Sequence, residues 1–123
     1  MKKKYFKKGA EIIKEGTLSD CAYIIESGSV QVSKILSNGE AQVVGVLKEN
    51  DIFGEMSLID KYPRSATAIA LKNTRCMIVE RSRFDYMTKF HPHFTVSLIK
   101  SLTERLRATI ARLNKAEPSR KGG

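Results

Sequence analysis

The residues best equipped for chemistry lie in one segment, Asp51-Ile52-Phe53-Gly54-Glu55-Met56-Ser57-Leu58-Ile59-Asp60-Lys61-Tyr62-Pro63-Arg64-Ser65-Ala66-Thr67. Gly54 permits a tight turn, and Glu55 to Ile59 is long enough for about one helical turn. Backbone N–H groups at the start of such a turn lack internal partners and attract an anion. Pro63 stiffens the approach to Arg64, whose guanidinium can clamp a phosphate with two parallel hydrogen bonds. Glu55 repels an anion, but it is a good acceptor for a sugar hydroxyl. A ligand with one phosphate close to a ribose hydroxyl suits both groups. The bland alternative is a Glu55–Arg64 ion pair that closes a loop. Met56, Leu58 and Ile59 read as core.

Other chemistry finds little footing. His91 and His93 flank Pro92 and read as exposed or capping. The expected strands contain no His, which argues against a barrel-type metal enzyme. No serine or cysteine has a patterned histidine base, so no catalytic residue is assigned and no enzyme is expected. Cys21 and Cys76 sit among apolar residues without zinc spacing and read as reduced core thiols of a cytoplasmic protein. No apolar run approaches the length of a membrane span, and the lysine-rich start does not lead into a signal peptide.

The net charge of +9 is unevenly spread. Residues 1–16 carry +4, residues 100–123 carry +5, and residues 17–99 are neutral. Terminal solvated charge explains this better than a nucleic-acid face, since no recognition helix or aromatic-interleaved basic strand accompanies it.

The elements that must position the segment follow from periodicity. With 123 residues, 41% hydrophobic and 28% charged, the chain reads as one globular domain over residues 1–116 with a tail at 117–123. The first 80 residues read as β: strands at 11–16, 22–26, 30–35 and 41–47, and a further pair at 66–71 and 76–80. Asn38-Gly39 predicts a tight hairpin with positive φ at both central positions. Many short strands broken by glycines predict a sandwich or barrel. The last third reads as α. Ser82 is expected to cap a helix through Phe84, Met87 and Phe90. Pro92 is expected to start a second helix, in which Ile99, Leu102, Leu106, Thr109 and Leu113 form a short heptad seam. That seam suits packing on the β part or pairing with a second copy.

Phe53-Gly54-Glu55-Met56-Ser57-Leu58 followed by Pro63-Arg64-Ser65-Ala66-Thr67 resembles the phosphate-binding cassette of cyclic nucleotide-binding domains. This family includes the bacterial catabolite activator protein and the regulatory subunits of protein kinase A. Phe6-x-x-Gly9, Ile13-x-x-Gly16, Asp20, Tyr23, Gly28-x-Val30, Gly39, Phe84 and Arg105-Leu106 extend the likeness over residues 5–113. Two motifs at this spacing inside a β pattern are far more specific than either alone.

The resemblance implies an α+β fold: an antiparallel, jelly-roll-like β-roll with a short cassette helix and C-terminal helices over its mouth. It implies cAMP, or cGMP, as ligand. The ligand-binding set becomes Gly54, Glu55, Met56, Ser57, Arg64 and Ser65, with Arg105 and Thr109 as base-lid residues. Glu55 would accept the ribose 2′-OH and Arg64 would pair with the phosphate. Backbone N–H groups near Ser57 and Ser65 would reach the phosphate as well. Replacing Arg64 is expected to weaken binding with the fold intact. Binding is expected to move the last helix and to reach a protein effector, with no nucleic acid or membrane contact from this chain. The arginines of the last helix would repel across a close pair, so a monomer or weak homodimer is expected. A sensor piece of a DNA-binding regulator, or a ligand-free interaction module of the same fold, is the alternative.

Overall fold

The computed structural model describes residues 2–18, 21–60 and 62–115 and has eight strands among them. Asp20 and the 117–123 tail lie outside the described residues. The elements are β1 (Lys3–Phe6), β2 (Glu11–Ile13), β3 (Cys21–Ser27), β4 (Val30–Ile35), β5 (Ala41–Leu47), β6 (Ile52–Phe53), α1 (Met56–Asp60), β7 (Thr67–Ala70), β8 (Thr74–Glu80), α2 (Arg81–Phe90) and α3 (Pro92–Lys115). The chain divides into two units, Met1–Tyr86 and Met87–Gly123.

In the first unit the strands form two four-stranded sheets, ordered β1-β8-β3-β6 and β2-β7-β4-β5, with antiparallel pairing throughout. This is the expected β-roll. Its core is built from Phe6, Ile13, Tyr23, Ile25, Val30, Phe53 and Cys76. Tyr23 stacks on Phe53 at 5.3 Å and meets Phe6 edge-on at 6.1 Å, both favoured aromatic geometries. Burial pushes the Cys76 thiol up to about 11 and the Tyr23 phenol up to about 12, so both stay protonated in neutral solution. Cys76 is buried in the core and Cys21 is half-buried at its edge.

Several local expectations need correction. The 38–39 hairpin is present, but among the described residues outside glycine only Asn50 has positive φ, so Asn38 does not. Leu36 C=O instead accepts the Gly39 N–H (2.9 Å), Gly39 adopts φ +87°, and Leu36 N–H donates to Glu40 C=O (2.8 Å). A four-residue turn closed by a left-handed glycine replaces the two-residue one. The strands β7 and β8 are not partners. They follow one another in sequence but enter different sheets, β7 between β2 and β4, and β8 between β1 and β3. The short turn at 71–73 therefore crosses between sheets. The strand at 11–16 stops at Ile13, and Lys14 to Thr17 form a turn closed by Thr17 N–H to Lys14 C=O (3.2 Å). The helix α2 starts at Arg81, so Ser82 lies in its first turn rather than capping it.

Gly28, between β3 and β4, packs against β8. A Cβ there would stand 2.3 Å from Thr74 Oγ1 and 2.7 Å from Thr74 Cα, and φ is +111°. Thr74 is buried; its hydroxyl donates to Lys72 C=O (2.7 Å) and accepts from Ser29 N–H (3.3 Å).

The described part of the second unit is helical. His91 N–H donates to Met87 C=O (2.9 Å), and His91 C=O accepts from Phe94 N–H (3.0 Å) and Thr95 N–H (3.3 Å). His91 thus closes α2 and caps α3, with Pro92 at the first helical position as expected. Along α3, Ile99, Leu106, Thr109 and Leu113 are exposed and Leu102 is half-buried.

Candidate functional site

The site begins where β6 stops. Phe53 pairs with Tyr23, and Gly54, at φ +79°, turns the chain out of the sheet. The Glu55 carbonyl accepts from Leu58 N–H (3.0 Å) and Ile59 N–H (3.2 Å), so Glu55 stands at the entry of α1. Three-residue spacing puts Glu55 and Leu58 on one face, and both are buried, Glu55 to 1% exposure. Met56 and Ile59 share the other face and are 50% and 54% exposed, which corrects their reading as core. A five-residue helix has a single inward face, and Glu55 and Leu58 fill it. Ser57 lies in the first turn of α1.

Arg64 is the best-anchored residue of the segment. Its backbone N–H donates to Thr17 C=O (2.8 Å), and its C=O accepts from Gly16 N–H (2.8 Å). Its guanidinium donates from Nη1 to Gly54 C=O (2.5 Å) and from Nη2 to Cys21 C=O (2.7 Å). Only 5% of the residue is exposed. A Cβ on Gly54 would stand 2.8 Å from Arg64 Nη1 and 3.0 Å from Ile13 Cδ1, so the glycine makes room for the fork. Two of the five guanidinium N–H donors are used in these bonds, which tie the end of β6 to the start of β3.

Ser65 is exposed, and its carbonyl accepts from Lys34 Nζ (3.2 Å). Lys34 Nζ is 3.7 Å from Glu15 Oε1, which accepts from Ile35 N–H (3.3 Å). Glu15 N–H donates to Thr67 Oγ1 (3.1 Å). Reading the sequence alone missed Lys34, Glu15 and the Cys21 carbonyl. Parity could have found Lys34, because it follows Val30 and Val32 at two-residue spacing and puts a charge on an apolar stripe. Nothing in residue type announces a backbone acceptor such as Cys21 C=O.

The first unit thus brings Gly54, Glu55, Arg64 and Ser65 to one place at the end of β6 and the start of β7. Arg105 and Thr109 lie one turn apart on α3 in the second unit. Thr109 Oγ1 donates to Arg105 C=O (2.9 Å). Among the described residues, no group of three or more His, Cys, Asp or Glu could hold a metal.

Residues 3–89, which contain this whole arrangement up to α2, match the family model described as cyclic nucleotide-binding domain. The chain belongs to the cyclic nucleotide-binding domain family. The domain is 39% identical over 80 residues to a cAMP-dependent protein kinase regulatory subunit of Mucor circinelloides, covering 65% of this chain and 18% of that protein. It is 29% identical over 104 residues to a CRP-like cAMP-activated global transcriptional regulator of Mycobacterium tuberculosis, covering 85% of this chain and 46% of that protein. Its fold superposes on the crystal structure of the Thermus thermophilus catabolite activator protein with a TM-score of 0.82 at 27% identity, over 94% of this chain and 55% of that one. The domain spans less than half the length of the curated relatives it matches here. No described helix is long and apolar enough to cross a membrane.

Proposed function

We propose that this domain binds cAMP, with Glu55 accepting the ribose 2′-OH, Arg64 and the Ser65 amide holding the cyclic phosphate, and Gly54 letting the sugar approach. One observation carries the reading. Two opposite charges, Glu55 and Arg64, are both more than nine-tenths buried, and Arg64 donates to the carbonyl of Gly54, the residue before Glu55. Burying charge is costly, and a core that needed only packing is served better by apolar residues. A ligand presenting an anion beside a hydroxyl recovers that cost.

The preference for adenine follows from Thr109, the lid residue implied by the family likeness. Its proton is committed to Arg105 C=O, which leaves the oxygen as an acceptor. An acceptor matches the 6-amino donor of adenine and repels the O6 of guanine. Arg105 is the second lid candidate. Relatives named for cAMP among both kinase subunits and transcription regulators support the same choice.

Titration calorimetry with cAMP, cGMP and 2′-deoxy-cAMP tests the assignment. A hydrogen bond to a charged acceptor sets the expected gap between cAMP and 2′-deoxy-cAMP at roughly ten- to hundredfold. Glu55→Gln should weaken cAMP and nearly erase that gap. If the two losses multiply in the double case, Glu55 does not touch the hydroxyl. A tenfold preference for cGMP overturns the Thr109 argument.

The binding signal leaves through α3. A ligand shifts an equilibrium only through unequal contacts with its two states, and a lid residue on α3 supplies them. Amide hydrogen exchange over residues 95–113 should slow when cAMP is added. Equal exchange with and without cAMP removes α3 as the moving part. The output is a protein effector in the cytoplasm, and the chain itself is a monomer or weak homodimer without catalytic activity. Its 46% coverage of a transcription regulator also fits a sensor piece of such a protein, with the same ligand and a different output.

A further inference from the structure

We propose that Lys34 is a second cation of the phosphate subsite, acting beside Arg64 on the cyclic phosphate of a bound mononucleotide. The inference rests on the cyclic nucleotide reading above and adds a residue to it from the opposite strand.

Backbone direction supplies the geometry. The Arg64 carbonyl points to Gly16 N–H at 2.8 Å. The described peptide bonds are trans, and in a planar trans peptide the N–H points opposite to the C=O. The Ser65 N–H, in the same peptide as the Arg64 carbonyl, therefore points away from Gly16. The strand β7 lies between β2 and β4, Gly16 follows β2, and Lys34 sits on β4. Ser65 lies in the bend that leads into β7, and its carbonyl accepts from Lys34 Nζ, on the neighbouring strand β4, at 3.2 Å. The Lys34 ammonium is thus fixed on Ser65, the residue whose amide is proposed to hold the phosphate with Arg64.

The ammonium is also held in place. Glu15 stands 3.7 Å from it and is itself fixed by Ile35 N–H at 3.3 Å and, through its own N–H, by Thr67 Oγ1 at 3.1 Å. An ammonium has three N–H donors, so the Ser65 carbonyl and Glu15 do not exhaust it. The two cations differ in access. Arg64 is buried and its fork is tied to the Gly54 and Cys21 carbonyls, whereas the Lys34 side chain is 54% exposed. Arg64 orients the phosphate, and Lys34 adds an attraction that reaches solvent and is screened by salt.

The test is calorimetric titration of cAMP into the full chain and its Lys34→Gln and Lys34→Arg variants, at about 50 and about 500 mM salt. For a half-exposed charge the expected loss in Lys34→Gln is about fivefold at low salt. The gap should close at high salt, and Lys34→Arg should retain most of the affinity. A Lys34→Gln chain that binds as tightly as the parent at both salt levels overturns the proposal. So does a salt-independent loss accompanied by a lowered thermal midpoint, which marks a packing role only. A parent that binds neither cAMP nor cGMP overturns the functional reading beneath it, which is a different result from tight parent binding with an indifferent Lys34.

Discussion

Arg64→Ala is expected to weaken cAMP binding by roughly 30-fold to several thousandfold, the effect of about 2–5 kcal/mol for truncating one partner of a buried charge contact. The same change is also expected to cost stability, which corrects the expectation of an untouched fold. The guanidinium donates to Gly54 C=O and Cys21 C=O, and the side chain is buried. Each carbonyl stranded away from water costs about 1–3 kcal/mol. The thermal midpoint should therefore fall along with the affinity. Arg64→Lys keeps the charge but has no planar fork with which to reach two carbonyls and a ligand together. It should recover part of the stability and little of the affinity. Calorimetry well below the variant's midpoint, paired with thermal unfolding, separates the two losses. An Arg64→Ala chain with parental affinity eliminates the phosphate assignment.

Gly28→Ala is expected to be the most damaging single methyl in the roll. The new Cβ would meet Thr74 Cα at 2.7 Å, a backbone atom that no rotamer change can move, and Thr74 Oγ1 at 2.3 Å. It would also hold an L residue at φ +111°. Overpacking of about 1–3 kcal/mol and backbone strain of about 1–3 kcal/mol together take a large share of the roughly 5–15 kcal/mol by which a domain is stable. For a unit of this size each kcal/mol lowers the midpoint by about 4–8 °C, so a drop of about 10–50 °C is expected. Gly9→Ala is the control. Gly9 also has positive φ, +88°, but a Cβ there meets nothing within 4 Å, so it carries strain without the clash. Equal losses in the two variants would show that backbone strain alone sets the cost at Gly28.

What the sequence made legible was local. The inner bounds of β4 and β5 follow from the Asn38-Gly39 turn signal between them, and Pro92 marks the start of α3 because its missing N–H costs nothing there. Gly54-Glu55 and Pro63-Arg64 are legible for the same reason, since each is a dipeptide with one stiff or permissive member beside one charge. What was missed depends on residues far away in the chain. The strand β1, Lys3-Lys4-Tyr5-Phe6, looks solvated because an edge strand tolerates lysine on its exposed positions. The two-residue β6 is too short to carry a period and exists because β3 offers it a partner. Whether β7 and β8 share a sheet is decided by their neighbours, which no local pattern encodes. Met56 and Ile59 have core-like side chains, and only the geometry of a single turn shows that Leu58 and Glu55 occupy the inward face.

Pairing of β1 with β8 has a consequence for how the chain is made. The ladder joins Lys3 to Met77 and Phe6 to Thr74, so the strand of the roll made first waits for the one made last. At roughly 5–20 residues per second that wait lasts several seconds. Until then β3 lacks its longest partner as well, because β8 lies between β1 and β3. The sheet that carries the Cys21 carbonyl, one of the two anchors of Arg64, is thus completed only after Glu80 has been added. The candidate site is a late product of synthesis, and a chain interrupted before β8 retains Glu55 and Arg64 in its sequence without the sheet that holds them.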